Sequence, residues 1–393
     1  MRERMLFLSA QNIYADDLEG EIRTGSILEI LQSKFNIDLL TYGNANKELS
    51  VNDGTALKVH NVESGHASRR SMLGSLYKLR KYSFLSKADK DMRATLTDLC
   101  RSNEYGHVFI SHSLLGKCID IIRQLLPKAS IITDTYRFES EPSFVSKSAN
   151  QGISNPYYKF NAALVRRNKR RLMNKTGLLL ATSEWDALSF KSLSFADARK
   201  VHIVPHFINM NEYAYTESVS KDNSMVLHWN MNTTHGVKVA QRFYRKVYPL
   251  IKEQIPDIRC YIISREVHPE VVALLAGDES VVITGSLNPA ADYIRRAKVV
   301  VAPLLEGSGD CMNVLESWAL RTPVVTSSKV CERLSCEHNR NVILGNSSVD
   351  IAAGVVTLLK NPELGTIIAD RAHQTLLKYN EVNKVKDKIL SLV

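Results

Sequence analysis

One short stretch of this sequence combines the residues of an anion-binding loop with a carboxylate at helical spacing behind it. The loop is Gly307-Ser308-Gly309-Asp310, in which two residues lack a Cβ atom and let a ligand approach the backbone closely. A segment with apolar residues at helical spacing follows. Its unpaired N–H groups and the positive end of its dipole would point at the loop. This pattern predicts that the loop binds a phosphate group.

Glu316 is the second candidate for chemistry in this stretch. On a helical wheel it shares a face with Gly309, Met312 and Asn313. Helical side chains lean toward the N-terminus of their helix, so the carboxylate is expected to point back at the loop. A carboxylate beside a phosphate is electrostatically unfavourable unless it binds hydroxyl groups, and the diol of a ribose is its natural partner. The alternative is a solvated surface glutamate.

The neighbouring segments predict how these residues are positioned. The run Lys298–Ala302 is β-branched and apolar, which is typical of a strand buried on both faces of a parallel sheet. Cys311 to Leu320 reads as a helix, with Ser308 or Asp310 placed to cap its start. Pro323–Val325 begins another strand.

The same stretch resembles the signature of retaining family-4 glycosyltransferases (glycosyl transferases group 1), in a subgroup with a Gly-Ser-Gly…Glu donor-site motif. The matching positions are Pro303, Gly307–Gly309, Glu316, Ala319 and Pro323–Val325. The resemblance implies an α/β protein of the GT-B fold, in which two Rossmann-like domains have parallel sheets that face each other across a cleft. It also implies transfer of a sugar from a nucleotide-diphosphate sugar with retention of anomeric configuration.

Several positions depart from the family pattern. Ser308 stands where the commoner pattern has the first of two glutamates, although Glu306 lies nearby. Asn313 replaces a lysine of the subgroup, and Arg321 replaces a glycine. These departures affect the expected sugar contacts more than the nucleotide contacts, and they raise the question of whether activity is retained.

Length and charge set limits on the protein class. A chain of 393 residues suggests two domains. The net charge of +10 suits nucleic acid, anionic lipid or a phosphorylated substrate, but no nucleic-acid motif or interleaving of aromatic residues accompanies it. No run is long enough to span a membrane and no signal peptide is recognised. A cytoplasmic location is expected, and attachment to the inner face of the membrane is the alternative.

The six cysteines are scattered in apolar runs and are expected to be free thiols. Cys331 and Cys336 are the one close pair, and no spacing is typical of a zinc site. Neither a metal nor a cofactor is therefore predicted, and the nucleotide-diphosphate sugar serves as donor substrate.

Strand and helix patterns alternate along the chain, which predicts parallel sheets covered on both faces. The expected organisation is a Rossmann-like acceptor-side domain over residues 1–205, a linker over 206–222 and a nucleotide-sugar-binding domain over 223–375. By resemblance, a helix over 376–393 crosses back to the first domain. The strands predicted for the first domain are Met5–Ser9, Ile37–Thr41, His107–Ser111, Ser130–Thr133 and Leu178–Thr182.

Ligands of such sheets bind beyond the carboxyl ends of the strands, so residues that follow strands are candidates. Gly20 and Arg23 match the subgroup motif Gly-Gly-Arg-Ile-Arg-Thr after the first strand. Gly20 would let backbone amides approach a phosphate, and Arg23 would pair with it. The alternative is an ordinary turn with a solvated arginine.

Four further candidates rest on strand ends and on the resemblance. His112 follows a strand and would orient the acceptor or the sugar, unless it is a structural histidine bonded to a loop carbonyl. Asp134 occupies a position where relatives place a polar group facing the acceptor. By resemblance, Arg265 neutralises the donor diphosphate as the leaving group departs, and Leu287 contacts the nucleotide base through its backbone.

The densest basic run favours attraction to anionic lipid headgroups or to a lipid diphosphate acceptor. Simple solvation of the charges is the alternative. The residues concerned are Arg166, Arg167, Lys169, Arg170 and Arg171.

The sequence as a whole predicts a retaining glycosyltransferase that acts on a glycan, a lipid-linked or another acceptor, in the biosynthesis of cell-surface polysaccharide or glycoconjugate. By family analogy, a donor phosphate oxygen takes the proton of the acceptor. Alternatives are a GT-B epimerase, a phosphorylase, and a non-catalytic nucleotide-sugar-binding scaffold or partner subunit of another glycosyltransferase.

Overall fold

The computed structural model describes thirteen segments of the chain, which form two compact units. The first unit comprises Met1–Val204 with Lys388–Val393, and the second comprises Pro205–Asp387. Side chains at 19–22, 87–89 and 234–235 are not described. The described residues are 2–9, 19–42, 57–62, 87–111, 118–135, 166–167, 169–194, 196–213, 219–232, 234–264, 266–284, 290–303 and 311–393.

The first unit is built on a seven-stranded, wholly parallel sheet in the order β3-β2-β1-β4-β5-β6-β7. Phe7 is opposite Leu39 in one neighbouring strand and Phe109 in the other, and the phenyl rings of Phe7 and Phe109 stack at 4.7 Å. The strands are β1 Arg4–Ser9, β2 Asn36–Tyr42, β3 Leu57–Val62, β4 His107–Ile110, β5 Ser130–Asp134, β6 Leu178–Ala181 and β7 Val201–Ile203.

Within the described residues, helices occur in every connection of this sheet except the one between β2 and β3, which lies outside them. Helical residues also occur at 166–167 and 169–175, and a short 3-10 helix covers Ala198–Lys200. The helices are α1 Glu19–Gln32, α2 Lys87–Ser102, α3 Cys118–Leu125 and α4 Glu184–Lys191.

The second unit repeats the plan with six parallel strands in the order β10-β9-β8-β11-β12-β13. The strands are β8 Asp222–His228, β9 Arg259–Ile263, β10 Val281–Ile283, β11 Ala297–Ala302, β12 Val324–Thr326 and β13 Ile343–Leu344. The helices are α5 Thr234–Arg242, α6 Tyr248–Gln254, α7 Pro269–Leu275, α8 Ala290–Arg296, α9 Met312–Ala319, α10 Ser328–Cys331, α11 Ser348–Lys360, α12 Pro362–Tyr379 and α13 Val382–Leu392, with a π-helical turn at Phe243–Val247 and a 3-10 turn at Met210–Glu212.

In both units, the second and third strands of the chain lie on one side of the first strand. The fourth strand lies on the other side of the first, and the later strands continue in that direction. This is the Rossmann order, and it creates a crevice where the strand order reverses, beyond the carboxyl ends of the strands. The crevice lies between β1 and β4 in the first unit and between β8 and β11 in the second. The predicted fold class, two Rossmann-like parallel sheets, is therefore confirmed.

The C-terminal helices differ in detail from the prediction. The expected final helix over 376–393 is divided, because α12 continues to Tyr379 and α13 begins at Val382. Within the described segments, no single helix has the length and apolarity needed to cross a membrane. The pair α11 and α12 passes that test only jointly, across a bend of 107°.

Candidate functional site

The reversal of strand order in the second unit places two chain segments at one end of its sheet. Strand β8 ends at His228, and its neighbour β11 ends at Ala302. After β11 the chain enters α9, which carries Glu316. The carboxyl ends of β8 and β11 therefore define where a ligand of this unit is expected.

Two side chains from separate parts of the second unit lie beside the Glu316 carboxylate, and one of them bonds to it. The hydroxyl of Tyr213 donates a hydrogen bond to Oε1 of Glu316 at 3.0 Å. Nδ1 of His228 lies 3.2 Å from Oε2, although the contact lies outside hydrogen-bonding geometry. The side chains of Glu316 and His228 are only 15% and 17% exposed. The carboxylate is thus largely enclosed rather than solvated.

The state of Tyr213 follows from its surroundings. Burial, together with the charge and hydrogen bond of Glu316, raises the pKa of Tyr213 far above its usual value. The phenol therefore stays protonated at neutral pH and donates to the carboxylate throughout. One carboxylate oxygen is committed to Tyr213, while the other faces His228.

Asn313 connects α9 to the end of β8. Its buried side-chain amide donates to the backbone carbonyl of His228 at 2.9 Å. The backbone carbonyl of Asn313 accepts a hydrogen bond from the hydroxyl of Ser317 at 2.6 Å. Because Asn313 and Glu316 are three residues apart, they share a helix face, as the sequence predicts. The residue that replaces the subgroup's lysine therefore has a structural role in this chain.

The loop after β8 is also tightly constrained. The N–H of Met231 donates to the hydroxyl of Ser264, which donates to the carbonyl of Glu266 at 2.6 Å. A Cβ atom at Gly236, in the first turn of α5, would lie 1.9 Å from the carbonyl oxygen of Asn230. No other residue fits this contact without moving the backbone. The loops after β8 and β9 are thus joined beside the carboxyl ends of the strands.

Arg23 and Asp134 bind each other in the interior of the first unit. Nε and Nη2 of Arg23 donate to the two carboxylate oxygens of Asp134, each at 3.0 Å, and Nη2 also donates to the carbonyl of Val204 at 2.9 Å. Both side chains are 1% exposed. The prediction that Arg23 binds a phosphate and Asp134 contacts the acceptor is corrected here, because the two groups bind each other in the core.

The structure differs from two other predictions, which concern the starts of helices α1 and α9. Gly20 lies in the first turn of α1 rather than in a loop, because the helix begins at Glu19. The N-cap of α9 is Cys311, whose side chain makes no capping hydrogen bond, so neither Ser308 nor Asp310 occupies that position. The predicted site residues that lie outside the described residues are His112, Arg265, Leu287, Gly307, Ser308, Gly309 and Asp310.

The basic run divides into exposed and occupied residues. Arg166, Arg167 and Arg170 are exposed. Lys169 is instead buried at 3% exposure, where its ammonium donates to the hydroxyl of Ser189 at 2.8 Å and lies over a phenyl ring of α4. Arg171 forms an ion pair with the carboxylate of Asp120 in α3. The prediction of a membrane contact through Lys169 is therefore wrong, since burial removes its charge from the surface.

No cluster of three or more histidine, cysteine or acidic side chains suited to a metal occurs within the segments that the structure describes. All six cysteines are free thiols. Cys331 and Cys336 make a side-chain hydrogen bond to each other, which, with burial, raises the pKa of Cys336 far above its usual value. Independence from metals stays a prediction.

The fold class of the chain is GT-B, defined by its two Rossmann-like domains and by its similarity to solved structures. The chain is similar to HepE of Anabaena, solved in complex with UDP and glucose, at 12% identity with 99% of each chain covered and a TM-score of 0.66. It is similar to sucrose-phosphate synthase of Thermosynechococcus elongatus at 13% identity, covering 100% of this chain and 98% of that one, with a TM-score of 0.76. It is also similar to trehalose-6-phosphate synthase OtsA at 12% identity, covering 99% and 98%, with a TM-score of 0.67.

Residues 229–361 match the family described as Glycosyl transferases group 1. The match begins directly after His228 and includes α9 with Glu316. The predicted resemblance to group 1 glycosyltransferases is confirmed for this segment, while the family-4 subgroup and its motif stay predictions. No curated protein matches the chain.

Tyr213 and His228 were not predicted from the sequence as site residues. Tyr213 lies in the predicted linker, and its hydroxyl reaches Glu316 across 103 residues of sequence. His228 ends strand β8, whose residues Met225–Leu227 are apolar and buried. The rule that ligands bind beyond strand ends would have identified His228, whereas no local signal marks Tyr213.

Proposed function

We propose that this protein transfers a sugar from a nucleotide-diphosphate sugar to an acceptor, and that Glu316 binds the ribose diol of the donor. The observation that carries the proposal is the enclosed Glu316 carboxylate at the reversal of strand order, with one oxygen bonded to Tyr213 and the other uncommitted. A carboxylate accepts hydrogen bonds from two adjacent hydroxyls, which is the chemistry of a ribose. The group 1 match over residues 229–361 supports the same reading.

The expected chemistry needs stabilisation of the leaving diphosphate. As the glycosidic bond breaks, negative charge grows on the diphosphate and the sugar becomes oxocarbenium-like. The positive end of the helix dipole of α9 favours an anion near the start of this helix. Arg265 and the loop Gly307–Asp310 remain the sequence-based candidates for the rest of this charge. Retention of configuration, with a donor phosphate oxygen accepting the acceptor's proton, is part of the proposal.

A binding comparison tests the role of Glu316. HepE is solved with UDP-glucose, so UDP and UDP-glucose are the first probes, followed by GDP, ADP and their sugar conjugates. Isothermal titration should show binding of one base class by the wild type and at least tenfold weaker binding by Glu316→Gln. The matched control is Glu363→Gln, an exposed glutamate at the start of α12. Equal affinities for wild type and Glu316→Gln would remove Glu316 from the site.

Measuring the release of free nucleotide distinguishes a transferase from an epimerase, a phosphorylase and a non-catalytic scaffold. A transferase releases free nucleotide only when an acceptor receives the sugar, whereas an epimerase releases it without acceptor and a phosphorylase responds to orthophosphate. Binding without turnover for glycan and lipid-linked acceptors would support the non-catalytic scaffold. For an active enzyme, the anomeric configuration of the product, read by NMR, tests retention.

We also propose that the acceptor side works at an anionic membrane surface. Arg166, Arg167 and Arg170 are exposed on a helical segment that Lys169 joins to α4. On α4 itself, Trp185 and Leu188 are 38% and 59% exposed and lie on one helix face. Exposed basic and apolar side chains on two segments that Lys169 joins suit the interface of a bilayer with anionic headgroups. A lipid-linked acceptor in polysaccharide or glycoconjugate biosynthesis would be presented at that surface.

Vesicle sedimentation tests this surface. Binding should be stronger to vesicles of phosphatidylglycerol and phosphatidylcholine than to phosphatidylcholine alone, and it should fall several-fold when the three arginines become glutamine. A control with the same charge change replaces the exposed Arg259, Lys360 and Lys384 of the second unit. Equal losses in both triple variants would mean that only total charge matters, and would overturn the proposed surface.

A further inference from the structure

We infer that His228 is a second ribose-binding residue and that Tyr213 positions Glu316, so that the site selects ribonucleotides over deoxyribonucleotides. The inference deepens the proposed function and rests on it. Two observations support the inference. One Glu316 oxygen accepts a hydrogen bond and the other does not, and the His228 ring lies beside the oxygen that does not.

The two oxygens of Glu316 are not equivalent. Oε1 accepts the hydrogen bond of Tyr213 at 3.0 Å. Oε2 and Nδ1 of His228 are both enclosed, and neither makes a hydrogen bond within the described part of the chain. Their separation is 3.2 Å, but the alignment does not allow a direct bond. Buried polar atoms are normally satisfied, so this pair points to a partner that the protein does not supply.

A hydroxyl group is the partner that fits both atoms. It donates one hydrogen bond and accepts others, whereas an ionised carboxylate oxygen only accepts and a protonated ring nitrogen only donates. A hydroxyl of the ligand would therefore donate to Oε2 and accept from the N–H at Nδ1. The second hydroxyl of a ribose would then bind the remaining acceptor sites of the same carboxylate. Glu316 and His228 together would therefore bind a diol more tightly than a single hydroxyl.

The Glu316 carboxylate and the backbone of His228 are both held by hydrogen bonds, which limits how the two side chains can move. His228 is the last residue of β8, and its backbone carbonyl accepts a hydrogen bond from the side-chain amide of Asn313 at 2.9 Å. The hydroxyl of Tyr213 restrains rotation of the Glu316 carboxylate, and the phenol does not ionise at neutral pH. Tyr213 does not face the uncommitted oxygen, so it is a positioning residue. His228 is the residue that touches the ligand.

The test compares a ribonucleotide with its deoxy analogues. The probes are the nucleoside diphosphate that the wild type binds best and its 2′-deoxy and 3′-deoxy forms, measured by isothermal titration. The wild type should bind the ribonucleotide about tenfold or more tightly than at least one deoxy form, since each lost hydrogen bond costs roughly one such factor. His228→Ala should remove most of that preference while changing the affinity for the disfavoured deoxy form little.

Two conservative variants separate ligand contact from structural support. His228→Asn keeps a side-chain donor and should restore part of the preference. Tyr213→Phe keeps the aromatic ring but removes the hydroxyl, and it should weaken ribonucleotide binding several-fold with a smaller loss for the deoxy form. A purely structural role would weaken all nucleotides equally in these variants.

The outcomes distinguish the two levels of the proposal. If the wild type binds no nucleotide of any base, the proposed function fails and this inference fails with it. If it binds nucleotides without discriminating deoxy forms, or if His228→Ala and His228→Asn keep the wild-type preference, the inference alone is overturned. Because discrimination is first measured on the wild type, its absence overturns the inference without any variant.

Discussion

Single residues in the first unit show how a buried charge pair can look like a ligand site in sequence. Arg23 carries a charge after the first strand and Asp134 ends another strand, which are the positions where ligands of Rossmann-like sheets are expected. In the structure, each satisfies the other at 1% exposure. Their role is to connect α1 and β5 within the core of the unit.

The Arg23–Asp134 pair gives the first prediction. Arg23→Met should lower the free energy of unfolding by about 3–5 kcal/mol, because it leaves the Asp134 carboxylate buried and unpaired. The double variant with Asp134→Leu should recover much of this loss. Urea denaturation measures both. Nucleotide affinity of the folded Arg23→Met protein should match the wild type, and a selective loss of affinity at unchanged stability would restore the phosphate-binding role.

Asp38 gives a prediction for acid stability. Burial is the largest influence on this carboxyl and raises its pKa. Hydrogen bonds from His60, Tyr105 and Arg4 outweigh burial and lower the pKa from 3.8 to about 2. A lowered pKa in the folded state contributes stability above the unfolded pKa, and this contribution is lost as pH falls through the folded pKa. The contribution at pH 7 is about 2 kcal/mol.

Asp38→Asn should therefore be less stable than the wild type at pH 7 by about that amount. The difference should shrink between pH 4 and pH 2 and vanish below. Denaturation at a series of pH values measures it, with the exposed Asp91→Asn as the control. A stability difference that stays constant down to pH 2 would contradict the assignment.

At the scale of elements, the end of α9 explains one departure from the subgroup pattern. The N–H of Thr322 donates to the carbonyl of Ser317 at 2.9 Å, and the N–H of Arg321 donates to that of Trp318 at 3.3 Å. These two bonds form a Schellman motif, which places Arg321 in the left-handed region at φ 51°. Glycine suits this conformation, which accounts for the glycine of the subgroup.

Arg321→Gly should therefore raise the free energy of unfolding by about 1 kcal/mol, because relief of the left-handed backbone exceeds the loss of a surface ion pair. That ion pair joins Arg321 to Asp370 at 2.9 Å. Arg321→Ala is the matched control, since it loses the ion pair but keeps the strained backbone, and it should be no more stable than the wild type. Equal stabilities of the two variants, measured in urea, would disprove the strain.

The elements also show which features the sequence reveals. Strands such as β1, β4 and β11 were predictable because a continuous apolar run marks a strand buried on both faces. The edge strand β3, Leu57–Val62, was not predicted, because its polar residues leave no such run. Glu316 was predictable from helical spacing, while the contact of Tyr213 and the pairing of Arg23 depend on residues more than 100 positions away. Such partners are fixed by packing rather than by local pattern.

At the scale of the whole molecule, the chain carries a separate core in each of its two units. Leu6, Leu8 and Val108 belong to one core of the first unit, and Met225 and Val299 belong to one of the second. The three tryptophans of the chain divide between these units, with Trp185 in the first and the other two in the second. Fluorescence can therefore report the unfolding of one unit.

This division gives the last prediction. In a Trp185→Phe variant, all tryptophan fluorescence comes from Trp229 and Trp318 of the second unit. A nucleotide bound at Glu316 stabilises the folded form of that unit, by about 2.7 kcal/mol when its concentration is 100 times Kd. UDP, or the best nucleotide found by titration, should therefore raise the midpoint of the fluorescence-detected thermal transition, and the shift should be smaller when Glu316→Gln is added. A nucleotide that raises the midpoint seen by circular dichroism but leaves the tryptophan transition unchanged would place the binding site in the first unit.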